Sequence, residues 1–330
     1  VPADRARLPT STETITRMTV MSDQAELHAA LLRLGGRIPD AMLVELRLRL
    51  ADTGTVLAPR PDDTTEPAYT FAPALPDPQT FGTAVPPLLD LVGRDLTDQI
   101  DHLAIRAARG QAGAVALWRS WRTAPQRASS AVPPTRVYVL EATGPQAAIA
   151  AAMIRVLAAD LDMPQVEVYR SGADLPSYAR AARSSGALLW MADESPPPRI
   201  ARVFDVVDAD GARFESGHER LDGADREQVT AYLEAGAPVL GTTGTLSDVV
   251  EPERGAVVPM SYRTDGRWLW TESVTYYLRT HALAPEPDLL AHVRAAGALL
   301  PAPDAAHEHR ALAMLFQSAA FVPAGDGTQS

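Results

Sequence analysis

The chain of 330 residues has no cysteine, and all thirty of its basic side chains are arginine. The first absence excludes thiol nucleophiles, disulfides, iron–sulfur clusters and thiolate zinc sites. The second removes the lysine of phosphate-binding loops, the Schiff-base lysine of pyridoxal-phosphate enzymes and the catalytic lysine of protein kinases. Positive charge is outnumbered, 30 to 41, and the net charge of −11 opposes general attraction to nucleic-acid backbones. No run of eighteen apolar residues is present, so no membrane span is expected. The first dozen residues hold no apolar segment of the secretory kind. Residues 1–22 are therefore expected to form a disordered leader and the protein to be cytoplasmic.

What is present suits a globular protein with room for more than one core, 46% of it hydrophobic. Apolar residues recur at helical spacing between Gln24 and Leu50, with a break at Gly35-Gly36. Prolines punctuate residues 51–87, which read as a long connection. Helical spacing resumes over Leu88–Arg109 and over Ala112–Arg122. The second of these would place Trp118 and Trp121 on one helix face, a packing face or a self-association platform. Arg106, Arg109, Arg119, Arg122 and Arg127 then read as the wet side of amphipathic helices. The small-residue and proline content of 123–135 marks a linker. The expected organisation is a helical region over 23–125 and a separate α/β domain over 136–330.

Within that second region, R-V-Y-V-L-E (Arg136–Glu141), a strong helical stretch and V-E-V-Y-R form a strand–helix–strand unit. Another helix and the strand Ala187–Met191 follow. Continuous apolar strands joined by helices indicate an α/β fold, with α+β as the alternative. Asp210-Gly211 and Asp265-Gly266 signal hairpins.

Chemical motifs are sparse. E-A-T-G-P-Q, which contains Thr143 and Gly144, lies between strand and helix, where backbone N–H groups can meet an anion, but it lacks the spacing of a dinucleotide loop. Gly241, Thr242, Thr243, Gly244 and Thr245 follow a short strand and are the second ligand-loop candidate, at a sheet edge where α/β proteins bind ligands. His307-Glu308-His309 is not a metal pair, because residues two apart on a helix diverge. No metal or cofactor is expected, and no serine stands in a nucleophile-elbow motif.

Five of the nineteen aromatic residues fall between Tyr262 and Tyr277. Alternation places Trp268 and Trp270 on one strand face, and only one of Tyr276 and Tyr277 can follow them inward, with Tyr276 favoured. Arg263, Asp265, Arg267, Trp270 and Glu272 have the composition of a protein-binding hot spot. The stretch V-V-P-M-S-Y-R-T-D-G-R-W-L-W-T-E-S-V-T-Y-Y-L-R-T-H, with A-P-E-P-D-L-L-A-H-V-R after it, resembles the C-terminal part of a family of actinobacterial proteins. Some of these are associated with toxin and immunity gene neighbourhoods. The likeness spans Glu251 to Gly297 and implies a reused hairpin–helix unit without an activity to carry over. The leading expectation is a non-enzymatic interaction module, immunity-like, with a protein partner. The alternatives are a small-ligand binder or enzyme at the strand-end loops, and a self-assembling scaffold.

Overall fold

A computed structural model describes residues 23–57, 59, 69–124, 133–297 and 302–317. The expected leader lies outside them, as do most of the linker and part of the proline-rich connection. The fold is α/β. Two helices packed on each other come first, α1 (Gln24–Arg33) and α2 (Asp40–Thr53). Then follow β1 (Thr70–Ala72), α3 (Pro78–Phe81), β2 (Leu89–Asp90), α4 (Gln99–Arg109), β3 (Ala114–Thr123), β4 (Thr135–Ala142), α5 (Gln146–Leu157), β5 (Gln165–Arg170), α6 (Ser177–Ser184) and β6 (Ala187–Met191). The main sheet runs β2-β6-β3-β4-β5, with β1 paired to the far end of β3. β3 is antiparallel to β1, β4 and β6, while β4 is parallel to β5 and β2 to β6, so β3 alone runs against the rest.

This central strand corrects the expected helix over 112–122 and the expected helical region over 23–125. β3 and β4 pair from Ala114 with Ala142 to Arg122 with Thr135, so the segment 123–135 joins neighbouring strands of one sheet. The misreading has a physical cause. A strand buried on both faces loses the apolar–polar alternation that identifies an exposed one. Leu117 enters the core beneath α4 and α5 together with Tyr138, Leu140, Val166 and Val168. Trp118 enters the opposite core, with Val137, Val139 and the α6 residues Tyr178 and Ala182. Each such side chain contributes roughly 1.5–3 kcal/mol of burial. Trp118 has no exposed surface, and it and Trp121 lie on opposite faces of β3, so they form no shared platform.

Three arginines on these strands are buried and paired. Arg119 and Arg136 both reach the fully buried Asp101 of α4, at 2.8 and 2.9 Å, and Tyr138 donates to the same carboxylate at 2.8 Å. Arg122 forms an ion pair with Asp40 and donates to the Tyr178 hydroxyl at 3.0 Å. Of the arginines expected on a wet helix face, Arg106 and Arg109 are exposed on α4, and Arg127 lies outside the described residues.

Beyond β6 come β7 (Arg199–Ile200), the hairpin β8 (Val206–Asp208) and β9 (Gly211–Arg213), then α7 (Gly223–Ala235) and β10 (Ala237–Leu240). The hairpin β11 (Thr245–Ser247) and β12 (Ala256–Pro259) precedes β13 (Tyr262–Thr264), β14 (Trp268–Thr271), α8 (Glu272–His281), α9 (Pro287–Ala296) and α10 (Ala305–Gln317). A second sheet, β10-β13-β14-β7, is covered by α7, α8 and α9. α10 packs on β2 and β6 of the first sheet and on β10 of the second.

α1 and α2 cover the edge of the main sheet at β5. His28 bonds the Val168 carbonyl at 2.7 Å, and Arg47 pairs with Glu167, both side chains being fully buried. Burial, reinforced by the Arg47 charge, pulls the His28 pKa down to about 4, against the bond to Val168. We expect Glu167→Gln, which strands the Arg47 charge, to cost about 3–5 kcal/mol in urea denaturation, and the double replacement Arg47→Met with Glu167→Leu to recover most of it. A single-mutant cost below about 1 kcal/mol would show that the pair is not desolvated.

Candidate functional site

The aromatic stretch divides between three tasks. Trp270 is fully buried between α7 and the second sheet, its indole Nε1 donating to the Leu233 carbonyl at 3.3 Å. A Cβ on Gly236 would come within 2.3 Å of its ring, so glycine is required where α7 turns into β10. Trp268 lies in the same core and Arg199 stacks on its ring, 4.4 Å from the centroid. The buried tyrosine is Tyr277 and not Tyr276. It packs with Phe204 and Phe214 beneath the β8–β9 hairpin, away from the tryptophans.

Asp265 organises the turn from inside. One carboxylate oxygen accepts the Arg267 and Trp268 amides at 2.8 and 2.7 Å. The other accepts the Tyr232 hydroxyl at 2.7 Å and lies 2.6 Å from His292 Nε2. Arg267 points outward, 3.7 Å from Asp193. The five expected hot-spot residues therefore share no surface. Trp270 and the Asp265 carboxylate are internal, Arg267 is exposed at the turn, and Arg263 and Glu272 are paired on the flank at the end of α7.

That flank holds a cavity of about 360 Å³, lined by Glu234, Pro259, Arg263, Glu272, Thr275, Tyr276 and Arg279. Arg263 Nε donates to Glu272 at 2.8 Å, and its Nη1 reaches the Gly236 and Glu234 carbonyls at 2.9 and 3.1 Å, satisfying the end of α7. Arg279 pairs with Glu234. Thr275 is 7% exposed, and its hydroxyl is buried with no partner in the protein. Arg263, Glu272, Thr275, Tyr276 and Arg279 all come from the aromatic stretch. The i, i+3, i+4 and i+7 spacing from Glu272 that brings the last four to one face of α8 was legible in the sequence; Glu234 carried no local signal.

The strand-end candidates separate. Thr143 and Gly144 stand at the carboxyl end of β4, where the Thr143 amide donates to the Gly113 carbonyl at 2.7 Å. A Cβ on Gly144 would meet the Ala112 carbonyl at 2.6 Å. With Asp23, Gln24, Gln146 and Arg170 they line a cavity of about 390 Å³. Gly241, Thr242, Thr243, Gly244 and Thr245 instead follow β10, an edge strand of the second sheet that is antiparallel to β13. The expectation that parallel-sheet ligand geometry applies to them is thereby corrected.

One polar cluster was not anticipated. After β6, the Ser195 hydroxyl lies 3.1 Å from His307 Nε2, and His307 Nδ1 is 2.8 Å from Asp304. The connectivity is that of an activated nucleophile. A second carboxylate, Asp193, is 3.2 Å from the same Nε2. The bond to Asp304, against burial, and the charges of both carboxylates raise the His307 pKa. Nε2 thus faces the Asp193 carboxylate as well as the serine hydroxyl, so the ring is held between two carboxylates.

Among the described residues no group of three or more potential ligands is placed to hold a metal, and no helix is long and apolar enough to cross a membrane. Comparison of the chain with protein-family models, with curated proteins and with solved structures finds no match. The class defined by the fold is thus an α/β protein with a second, smaller sheet, and function rests on its own geometry.

We expect Trp270→Ala to lower stability by about 3–5 kcal/mol in denaturant titration, the cost of emptying a core site. Arg267→Ala, at the exposed turn, should change it by less than about 0.5 kcal/mol. Equal effects would contradict the division between core and surface.

Proposed function

We propose that the chain binds a small polar ligand of no net charge, a polyol, sugar or zwitterion, in the cavity between β13, α8 and the end of α7. The observation that carries this reading is Thr275, a residue lining the cavity whose buried hydroxyl has no partner in the protein. A buried polar group without a partner costs about 1–3 kcal/mol, and a ligand oxygen or nitrogen would remove that cost. The volume of about 360 Å³ suits a small molecule. Two guanidinium groups and two carboxylates line it in neutralising pairs, which favours a ligand with donors and acceptors over a net ion. Each carboxylate is held by an arginine, leaving neither as a free base, so the reading is binding rather than catalysis, with no cofactor. The cytoplasmic setting belongs to the same proposal.

A second reading, the protein-interaction module, is favoured by exposed apolar residues on the two small hairpins, Val207 at 73% and Leu246 and Val257 nearer 40%. Its immunity-like colouring comes from the resemblance alone.

A thermal-shift and calorimetric screen of neutral sugars, polyols and zwitterionic amino acids tests the first reading. A ligand at a hundred times its dissociation constant should stabilise by about 2.7 kcal/mol. Thr275→Val, which keeps the shape and removes the hydroxyl, should weaken binding about tenfold or more without lowering stability. No stabilisation by any compound at 10 mM, about the upper end of useful affinities, or hits indifferent to Thr275→Val, would remove the cavity as the site.

A further inference from the structure

His307 and His309 point in different directions from α10. Two positions apart on α10, their rings enter opposite environments. His307 faces the seam between the sheets. It meets Asp304 ahead of its own helix, Asp193 and Ser195 from the β6–β7 loop, and the Asp265-Gly266 turn, where a Cβ on Gly266 would approach His307 Cβ at 3.1 Å. Arg267 extends from that turn to Asp193. His309 faces the main sheet, its Nε2 donating to the Leu89 carbonyl at 2.9 Å, with Trp118 edge-on and the charges of Asp90 and Arg183 nearby. The same helix holds the seam through Arg310, which reaches Asp90 at 3.0 Å and the Ser195 carbonyl at 2.9 Å. Gln317 brackets the Asp90 backbone at 3.2 and 3.1 Å on edge strand β2.

We propose that α10 is a pH-banded clasp between the two sheets, docked most tightly when His307 carries a proton and His309 does not. Charged, His307 donates from both ring nitrogens to the flanking carboxylates. Neutral, it has one N–H for both, and a lone pair faces the other. His309 has the reverse requirement, because it is largely buried against the edge of Trp118, and the neutral ring already satisfies the Leu89 carbonyl through its Nε2–H. The signs follow from linkage. The pKa of His307 is raised on docking, so its contribution is complete below about 6.5 and is lost as pH rises through the docked value. That of His309 is lowered by burial to about 4, so its contribution is complete above about 6.5 and is lost as pH falls towards 4. Docking is therefore strongest near pH 6.5 and weakens on both sides.

Amide hydrogen exchange over residues 305–317 of the full chain, corrected for intrinsic rates between pH 5 and 8.5, tests the clasp. In the wild type the opening constant should be smallest near pH 6.5, and should rise about tenfold by pH 5 and several-fold by pH 8.5. His307→Gln should flatten only the alkaline limb and His309→Gln only the acid limb, each to less than twofold. A wild-type profile flat across the range, or limbs that survive these substitutions, would overturn the proposal. Should His309→Gln fail to fold, imidazole resonances of the wild type decide. A midpoint for His307 above 6.5 and for His309 below 5 upholds the clasp, and any other order ends it.

Discussion

Asp101 is the anchor on which the main sheet depends. A carboxylate with no exposed surface, it takes guanidinium groups from two adjacent strands and a tyrosine hydroxyl from one of them. The arrangement permits β3 to carry arginine through the middle of a three-layer structure. Arg136 also binds Asp98, whose carboxyl, though raised by partial burial, is held at about 2, chiefly by that hydrogen bond. Without these partners a central strand bearing Arg119 and Arg122 would have to expose one face or bury unpaired charge, and the second option costs several kcal/mol per ion. The ion pairs therefore let a strand that carries arginine occupy the centre of the sheet.

Both edges of the main sheet are closed by helices that bring polar side chains to the backbone. α1 supplies His28 to β5, and α10 supplies Gln317 to β2. Covered edges suppress strand addition by other chains. The helix that closes the β2 edge is also the one that reaches the second sheet, so edge protection and the joining of the two sheets are one structural event. The second sheet has its own constraint in the contact of Gly236 with Trp270, which lets β10 approach β13 closely enough for Arg263 to complete both the end of α7 and the wall of the cavity beside it.

Much of the architecture was legible in the chain. The strand–helix–strand unit over 135–170, the strand at Ala187–Met191 and the Asp265-Gly266 hairpin all followed from apolar runs, glycine and alternation, which are local properties. β3 was not legible. A-V-A-L-W-R-S-W-R-T satisfies a helical spacing as readily as a buried strand, and only the partners of its arginines reveal which they obey. The aromatic stretch was singled out as a candidate binding surface, but its most conspicuous members, Trp268 and Trp270, became core. The cavity was left to the less conspicuous Thr275, Tyr276 and Arg279.

By itself, then, the sequence determined the α/β class, the positions of most helices and turns, and the chemistries closed to a protein without cysteine or lysine, because each depends on composition or on residues within a few positions of one another. Tertiary structure alone decided that 112–122 would be the central strand, that the hot-spot residues would part company, and that His307 and His309 would enter opposite environments. Those outcomes depend on carboxylates and ring surfaces brought from distant parts of the chain, and burial changes the cost of every charge they meet.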